Sequence, residues 1–214
     1  MIASAISIRY PDWVVGHVDW DRCYASDADK MRLAIDLSLQ NVLRGTGGPF
    51  GAAVFETRTG RLVSVGMNLV VPLNNCMLHA EGVALMMAGE RVRSFSLDGE
   101  VQHELVTSCA PCAMCLGAAL WSGVRRIVCG ARSADAERIG FDEGPVFQAS
   151  HEYLSSRGIG IDHDVLRAEA CAVLDLYAAR SGMIYNGLAM EGTISLPGIA
   201  VAGARMEAEL ASPA

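Results

Sequence analysis

Between residues 27 and 44 the apolar positions Met31, Ile35, Leu39 and Val42 return every three to four residues, which places them on one face of an α-helix. Asp27 is a candidate N-cap for this helix and Gly45 a stop. The period then changes. Residues 50–55 and 62–65 are short apolar runs joined by Glu56-Thr57-Arg58-Thr59-Gly60-Arg61, a pattern that predicts a β-hairpin with glycine near its turn. Helical spacing returns over 79–88, after a loop containing Pro72. A strand at 104–107, a helix at 111–121 opened by Pro111 and a buried strand at 126–130 follow. Residues 133–139 read as a short capped helix, 140–147 as a glycine- and proline-bearing loop, and the next stretch as a helix to about residue 157. A strand over 159–165 and a helix over 167–180, with Ala170, Val173, Leu174 and Tyr177 on one face, complete the pattern.

A helix between the strands at 126–130 and 159–165 predicts that these two run parallel, because antiparallel neighbours need only a tight turn. The class is therefore α/β, one mixed sheet covered by helices. The patterned body spans 27–187, with an N-terminal extension at 1–26 and a tail at 188–214 whose Gly, Ala and Met content and weak periodicity predict partial order. No internal repeat is visible. A chain of 214 residues fits one domain with a modest extension, and 51% hydrophobic against 19% charged residues excludes a disordered, collagen-like or coiled-coil chain.

The net charge of −7 is the wrong sign for a protein that grips nucleic acid through phosphates, so a small, neutral or weakly polar substrate is expected and no nucleic-acid partner. No apolar run is long enough to span a bilayer, and the first residues lack a basic leader with a cleavage site. Seven cysteines are an odd number, and Cys109, Cys112 and Cys115 crowd into one short stretch. That arrangement suits a metal site in a reducing compartment, the cytoplasm, better than a disulfide framework.

The candidate chemistry lies in His79-Ala80-Glu81 and Pro111-Cys112-Ala113-Met114-Cys115. One imidazole and two thiolates suit zinc, and three protein ligands leave a fourth position open, as in catalytic sites. A Cys-x-x-Cys pair at a helix start sits near the first-turn N–H groups, where thiolate is favoured over thiol. Glu81, two residues past the candidate ligand His79, is placed to act as general base beside the metal. A fourth ligand from Cys109 would instead close the site into a structural one.

This His-x-Glu plus Pro-Cys-x-x-Cys pattern resembles the signature of the zinc deaminases. The stretch 27–187 resembles the cytidine deaminase-like superfamily, and within it the bacterial guanine deaminases and their s-triazine-deaminating relatives. The resemblance extends to Gly48-Pro49-Phe50-Gly51-Ala52-Ala53-Val54-Phe55, to Gly66-Met67-Asn68, to Thr107-Ser108, to Cys115-Leu116-Gly117-Ala118 with Trp121, and to Ile139-Gly140-Phe141-Asp142-Glu143-Gly144-Pro145. It implies a three-layer α-β-α sandwich on a five-stranded mixed sheet. It also implies zinc on His79, Cys112 and Cys115, and catalysis by Glu81 and by Glu143, the latter attending to the departing amino group. A substrate pocket drawing on Asn68, Phe50, Ala80, Trp121 and Tyr185 is implied as well. The segment Ser181-Gly182-Met183-Ile184-Tyr185-Asn186 is similar to one that covers an active site in these enzymes, often the partner subunit's, so a homodimer with exchanged C-terminal segments is implied. Ala110 departs from the glutamate many relatives carry before Pro-Cys-x-x-Cys, which bears on substrate preference.

The resemblance thus points to hydrolytic deamination of an amino-substituted heterocyclic base, guanine to xanthine first. Ammeline or another s-triazine, cytosine, a pterin or a nucleoside are alternatives. A tRNA adenosine deaminase fits the acidic chain less well, and a non-catalytic zinc module would need a closed coordination shell.

Overall fold

In the computed structural model, which describes residues 5–187, twelve elements follow one another: α1 (Trp13–His17), α2 (Asp27–Leu43), β1 (Gly51–Glu56), β2 (Leu62–Met67), α3 (Ala80–Val92), β3 (His103–Cys109), α4 (Ala113–Ser122), β4 (Arg126–Ala131), α5 (Ser133–Glu137), α6 (Gln148–Ser156), β5 (Gly160–Asp162) and α7 (Arg167–Ala179). The strands form one sheet in the order β2-β1-β3-β4-β5. β1 lies antiparallel to both β2 and β3, whereas β3–β4 and β4–β5 are parallel, with Leu105 beside Ile127 and Val106 beside Val128. Helix crossovers between the parallel strands account for that change of direction.

Side-chain alternation makes the layers. On one face Ala53 and Phe55 of β1, Val106 of β3 and Val128 of β4 pack against Met31, Ala34 and Leu37 of α2 and Val173 and Leu174 of α7. On the other, Ala52, Val54, Leu105, Ile127 and Cys129 pack against Ala84 and Ala88 of α3, Leu116 and Ala119 of α4 and Leu154 of α6. The result is an α-β-α sandwich on a five-stranded mixed sheet.

Several ends differ from the sequence pattern. The N-cap of α2 is Ser26, whose Oγ accepts from the Asp29 N–H at 3.1 Å, and Asp27 instead faces Arg126. Pro111 does not open α4; Cys112 is the N-cap and the helix begins at Ala113. β5 is only Gly160–Asp162, shorter than the apolar run suggested, and α1 was not marked by any period. Residues 5–26 pack on the body through buried Val14, the Trp13 indole donating to Thr46 and the Tyr10 hydroxyl donating to the Val65 carbonyl. The expected tail, 188–214, lies outside the described residues.

At the β3 end remote from the cysteines, an ionic cluster ties helix to sheet. Glu104, fully buried, accepts from Lys30 of α2 and, at 2.9 Å, from Arg126 of β4. Arg126 also holds Asp27 at 2.6 Å and Asp162 of β5 at 2.7 Å. One cluster thereby fixes α2, β3, β4 and β5 together. At the opposite end of β3 the chain turns through residues 110–112 into α4.

Candidate active site

Two helix starts meet beyond the end of β3. His79 is the N-cap of α3, Cys112 the N-cap of α4, and Cys115 lies in the first turn of α4. His79 Nδ1 stands 3.5 Å from Cys112 Sγ and 3.7 Å from Cys115 Sγ, and the three donor atoms all lie within 4.8 Å of one another. Zinc–sulfur and zinc–nitrogen bonds at tetrahedral angles require donor separations of about 3.5–3.8 Å, so both nitrogen–sulfur distances fit one zinc ion. Cys109 is outside this cluster, its Sγ donating to the Arg132 carbonyl at 3.6 Å. The described residues therefore offer three protein donors, which leaves room for a further ligand.

The electrostatics follow from burial. A hydrogen bond from Cys115, reinforced by one from His79, draws the Cys112 thiol down to about 4, so it is a thiolate at neutral pH. Cys115 is held above the usual thiol range by that shared hydrogen bond and by burial. Glu81, in the first turn of α3, is pushed up to about 7 by burial, with the Cys112 charge adding to the effect. Glu143, on the loop between α5 and α6, rises to about 8 by burial, with Cys112 and Glu81 adding. Both carboxyls are thus poised to hold or release a proton near neutrality.

Phe50, Asn68, His79, Glu81, Glu143 and Tyr185 converge on one cavity with about 30 Å3 of free space, room for one water and well short of a heterocyclic base. Asn68 is buried at the end of β2; its Oδ1 accepts from the Val70 N–H at 3.2 Å, and its Nδ2 has no protein acceptor among the described residues. Phe141 packs against Phe50 at 5.0 Å and Tyr185 at 4.9 Å, forming an aromatic wall. The Tyr185 hydroxyl is buried without a hydrogen-bond partner and rests against Gly48, where a Cβ would stand 2.1 Å from it. Asn186 latches this segment, accepting from the Asp142 N–H at 2.9 Å and donating to the Gly140 carbonyl at 3.0 Å. The segment closes over its own chain's site.

Two residues expected in the pocket are elsewhere. Trp121 is 82% exposed, because six residues past Cys115 on α4 the helix has turned away from the face that carries Cys115, Leu116 and Ala119. Ala80 is buried under β2, its carbonyl against Gly66, and does not line the cavity. In turn, Asn41 belongs to the site's framework without having been singled out by the pattern, and Phe141 and Asn186, which lie inside quoted motifs, without a role having been assigned to them. Asn41 donates from Nδ2 to the carbonyls of Gly48 and Asn68, both at 2.9 Å, and so holds the strand ends that carry Phe50 and Asn68. A buried asparagine among the apolar positions of α2 was the one available signal.

Three soft donors beside a buried carboxyl on an α/β sheet define a zinc-dependent hydrolytic centre. Residues 25–131 match the family model described as the cytidine and deoxycytidylate deaminase zinc-binding region, and the chain belongs to this family of zinc-dependent deaminases. Guanine deaminase of Bacillus subtilis is 34% identical over 118 residues, 55% of this chain and 72% of that protein. The solved structure of guanine deaminase from Nitrosomonas europaea is 41% identical, covers 84% of this chain and 99% of that one, and superposes with a TM-score of 0.79. A tRNA-specific adenosine deaminase of Buchnera aphidicola is 29% identical over 127 residues, 59% of this chain and 77% of that protein. Among the described residues no helix is long and apolar enough to cross a membrane.

Proposed function

We propose that the protein deaminates guanine, converting guanine and water to xanthine and ammonia. The observation that carries this reading is the match to a guanine deaminase over 99% of that chain, far beyond the metal motif. In this reading residues 27–187 are the catalytic body, and His79, Cys112 and Cys115 hold zinc. When bound, the metal supplies a Lewis acid that makes water nucleophilic near neutral pH.

The chain's own residues do the rest. Glu81 accepts a proton from the attacking water and delivers it to the ring nitrogen beside the amino-bearing carbon. Asn68 offers its amide to the base, and Phe50 packs on its face. As the carbon–oxygen bond is made and the carbon–nitrogen bond breaks, Glu143 serves the proton needs of the departing amino group. The aromatic wall and Tyr185 limit access of bulk water, and Tyr185 with Asn186 moves aside to admit the base, because the cavity has too little free space for it.

The working form in this reading is a cytoplasmic homodimer. The exposed Trp121 of α4 and Tyr153 of α6, which line one surface cleft, support an interface there, and the free thiols of the metal site suit a reducing compartment.

The test is ammonia release by the zinc-loaded protein from guanine, ammeline, cytosine, adenine, a pterin and common nucleosides, with Glu81→Gln as blank. Guanine is expected to dominate and the blank to be silent with zinc retained. Full activity in zinc-loaded Glu81→Gln overturns the mechanism, and preference for another base overturns the substrate.

A further inference from the structure

We propose that the solvent-open cleft behind Ala110 and Glu143 is a port through which ammonia leaves and replacement water enters while the base side of the site stays shut. The inference rests on the reading that Glu143 serves the departing amino group. Ala110 and Glu143 line both the substrate cavity and a separate cleft of about 420 Å3, so they form a common wall between the two. On the other side the cavity is bounded by the aromatic wall and by the segment that Asn186 latches.

The chemistry demands a small-molecule exchange in each turnover. One water contributes the oxygen of the new carbon–oxygen bond, and the amino nitrogen leaves as ammonia when the carbon–nitrogen bond breaks. Neither step requires the base to move, so a path for species of water size decouples ammonia from base release. The wall is built for this. Ala110 contributes only a methyl group, and its N–H donates to the Ala131 carbonyl at 2.8 Å, which anchors the backbone there. Glu143 is anchored by its carbonyl, which accepts from the Ala113 N–H at 3.0 Å, while its carboxyl makes no hydrogen bond to the described residues. Beyond the wall, Glu137, Gln148, His151 and His163 present acceptors for an N–H, and the Arg132 charge is matched by Asp164.

The test compares first-turnover and steady-state rates by rapid mixing for wild type, Gln148→Trp and Ala134→Trp, both of which obstruct the cleft at residues outside the substrate cavity. Zinc content and inhibition by xanthine are measured alongside. Slow ammonia release should leave the first turnover within about twofold of wild type while the steady-state rate falls about tenfold, giving a product burst. Zinc content and xanthine inhibition should not change. Ala134→Trp, on a different element, keeps the test decisive if Gln148→Trp disturbs the start of α6. Unchanged rates without a burst in a folded, zinc-loaded Gln148→Trp overturn the port, as does a parallel fall of both rates. Wild type inactive on guanine refutes the substrate reading instead, and the port is then judged with whichever base of the panel releases ammonia.

Discussion

At the scale of single residues, Asn68 shows how the site separates folding from recognition. Its backbone N–H donates to the Phe50 carbonyl at 3.0 Å and its carbonyl accepts from Asn41, so the backbone is committed to the scaffold while Nδ2 is left for a ligand. Asn68→Ala should therefore lower kcat/KM for guanine by about 10- to 100-fold, the worth of one buried hydrogen bond, with zinc content unchanged and a stability loss of about 1 kcal/mol from the hydrogen bond that its Oδ1 accepts from the Val70 N–H. Asn41→Ala should behave differently. It strands two buried carbonyls and the Thr46 hydroxyl that donates to its Oδ1, so it should cost about 1–3 kcal/mol of stability as well as raise KM, measured by denaturant unfolding beside kinetics. The metal and acid residues were legible in the sequence because their chemistry requires fixed spacing: His79 and Glu81 two apart, Cys112 and Cys115 three apart. Asn41 and Asn186 were not, because their partners are backbone atoms assembled only by the fold. Trp121 misled because an aromatic near a motif carries no record of which side of the helix it occupies.

At the scale of elements, the sheet is held by two unlike devices, apolar layers and one buried ionic cluster. The layers could be read from the short apolar runs and the 3.6-residue period, and the parallel sense of β4 and β5 from the helical spacing between them. The cluster could not, since Lys30, Glu104 and Arg126 are far apart in sequence and look like ordinary surface charges. Removing one member of a buried pair costs more than the pair contributes, so Glu104→Ala, which leaves the Lys30 ammonium buried and unpartnered, should destabilise by about 3–5 kcal/mol. Calorimetry should show Tm lower by roughly 10 °C, and Glu104→Gln a smaller loss. The same cluster sets an acid limit. Hydrogen bonds from Arg126 hold the Asp27 carboxyl below the usual carboxylate range, so its contribution is complete above the unfolded value of about 4 and is lost as pH falls through the folded one. Asp27→Asn should therefore flatten the dependence of stability on pH below about 4 while leaving it unchanged near neutrality, which acid titration of unfolding detects.

For the molecule as a whole, the metal centre is also a fastener. His79 begins α3, and Cys112 and Cys115 begin α4, so a single ion joins the starts of two helices that pack on the same face of the sheet. The donors are contributed from positions more than thirty residues apart, and the unfolded chain does not hold them within reach of one ion. Zinc binding to the folded state should consequently appear as stability that grows with the logarithm of free zinc, about 1.4 kcal/mol for each tenfold increase above the dissociation constant. For a chain of this size that is a rise in Tm of about 3–5 °C per decade. Calorimetry in zinc buffers should show this slope for wild type and for Glu81→Gln alike, because Glu81 is assigned to proton transfer and not to coordination. Cys115→Ser should lose most of the slope, since it removes one of three donors. A Glu81→Gln protein as indifferent to zinc as Cys115→Ser would make Glu81 part of the coordination shell, and the division between ligands and base on which the mechanism depends would have to be redrawn.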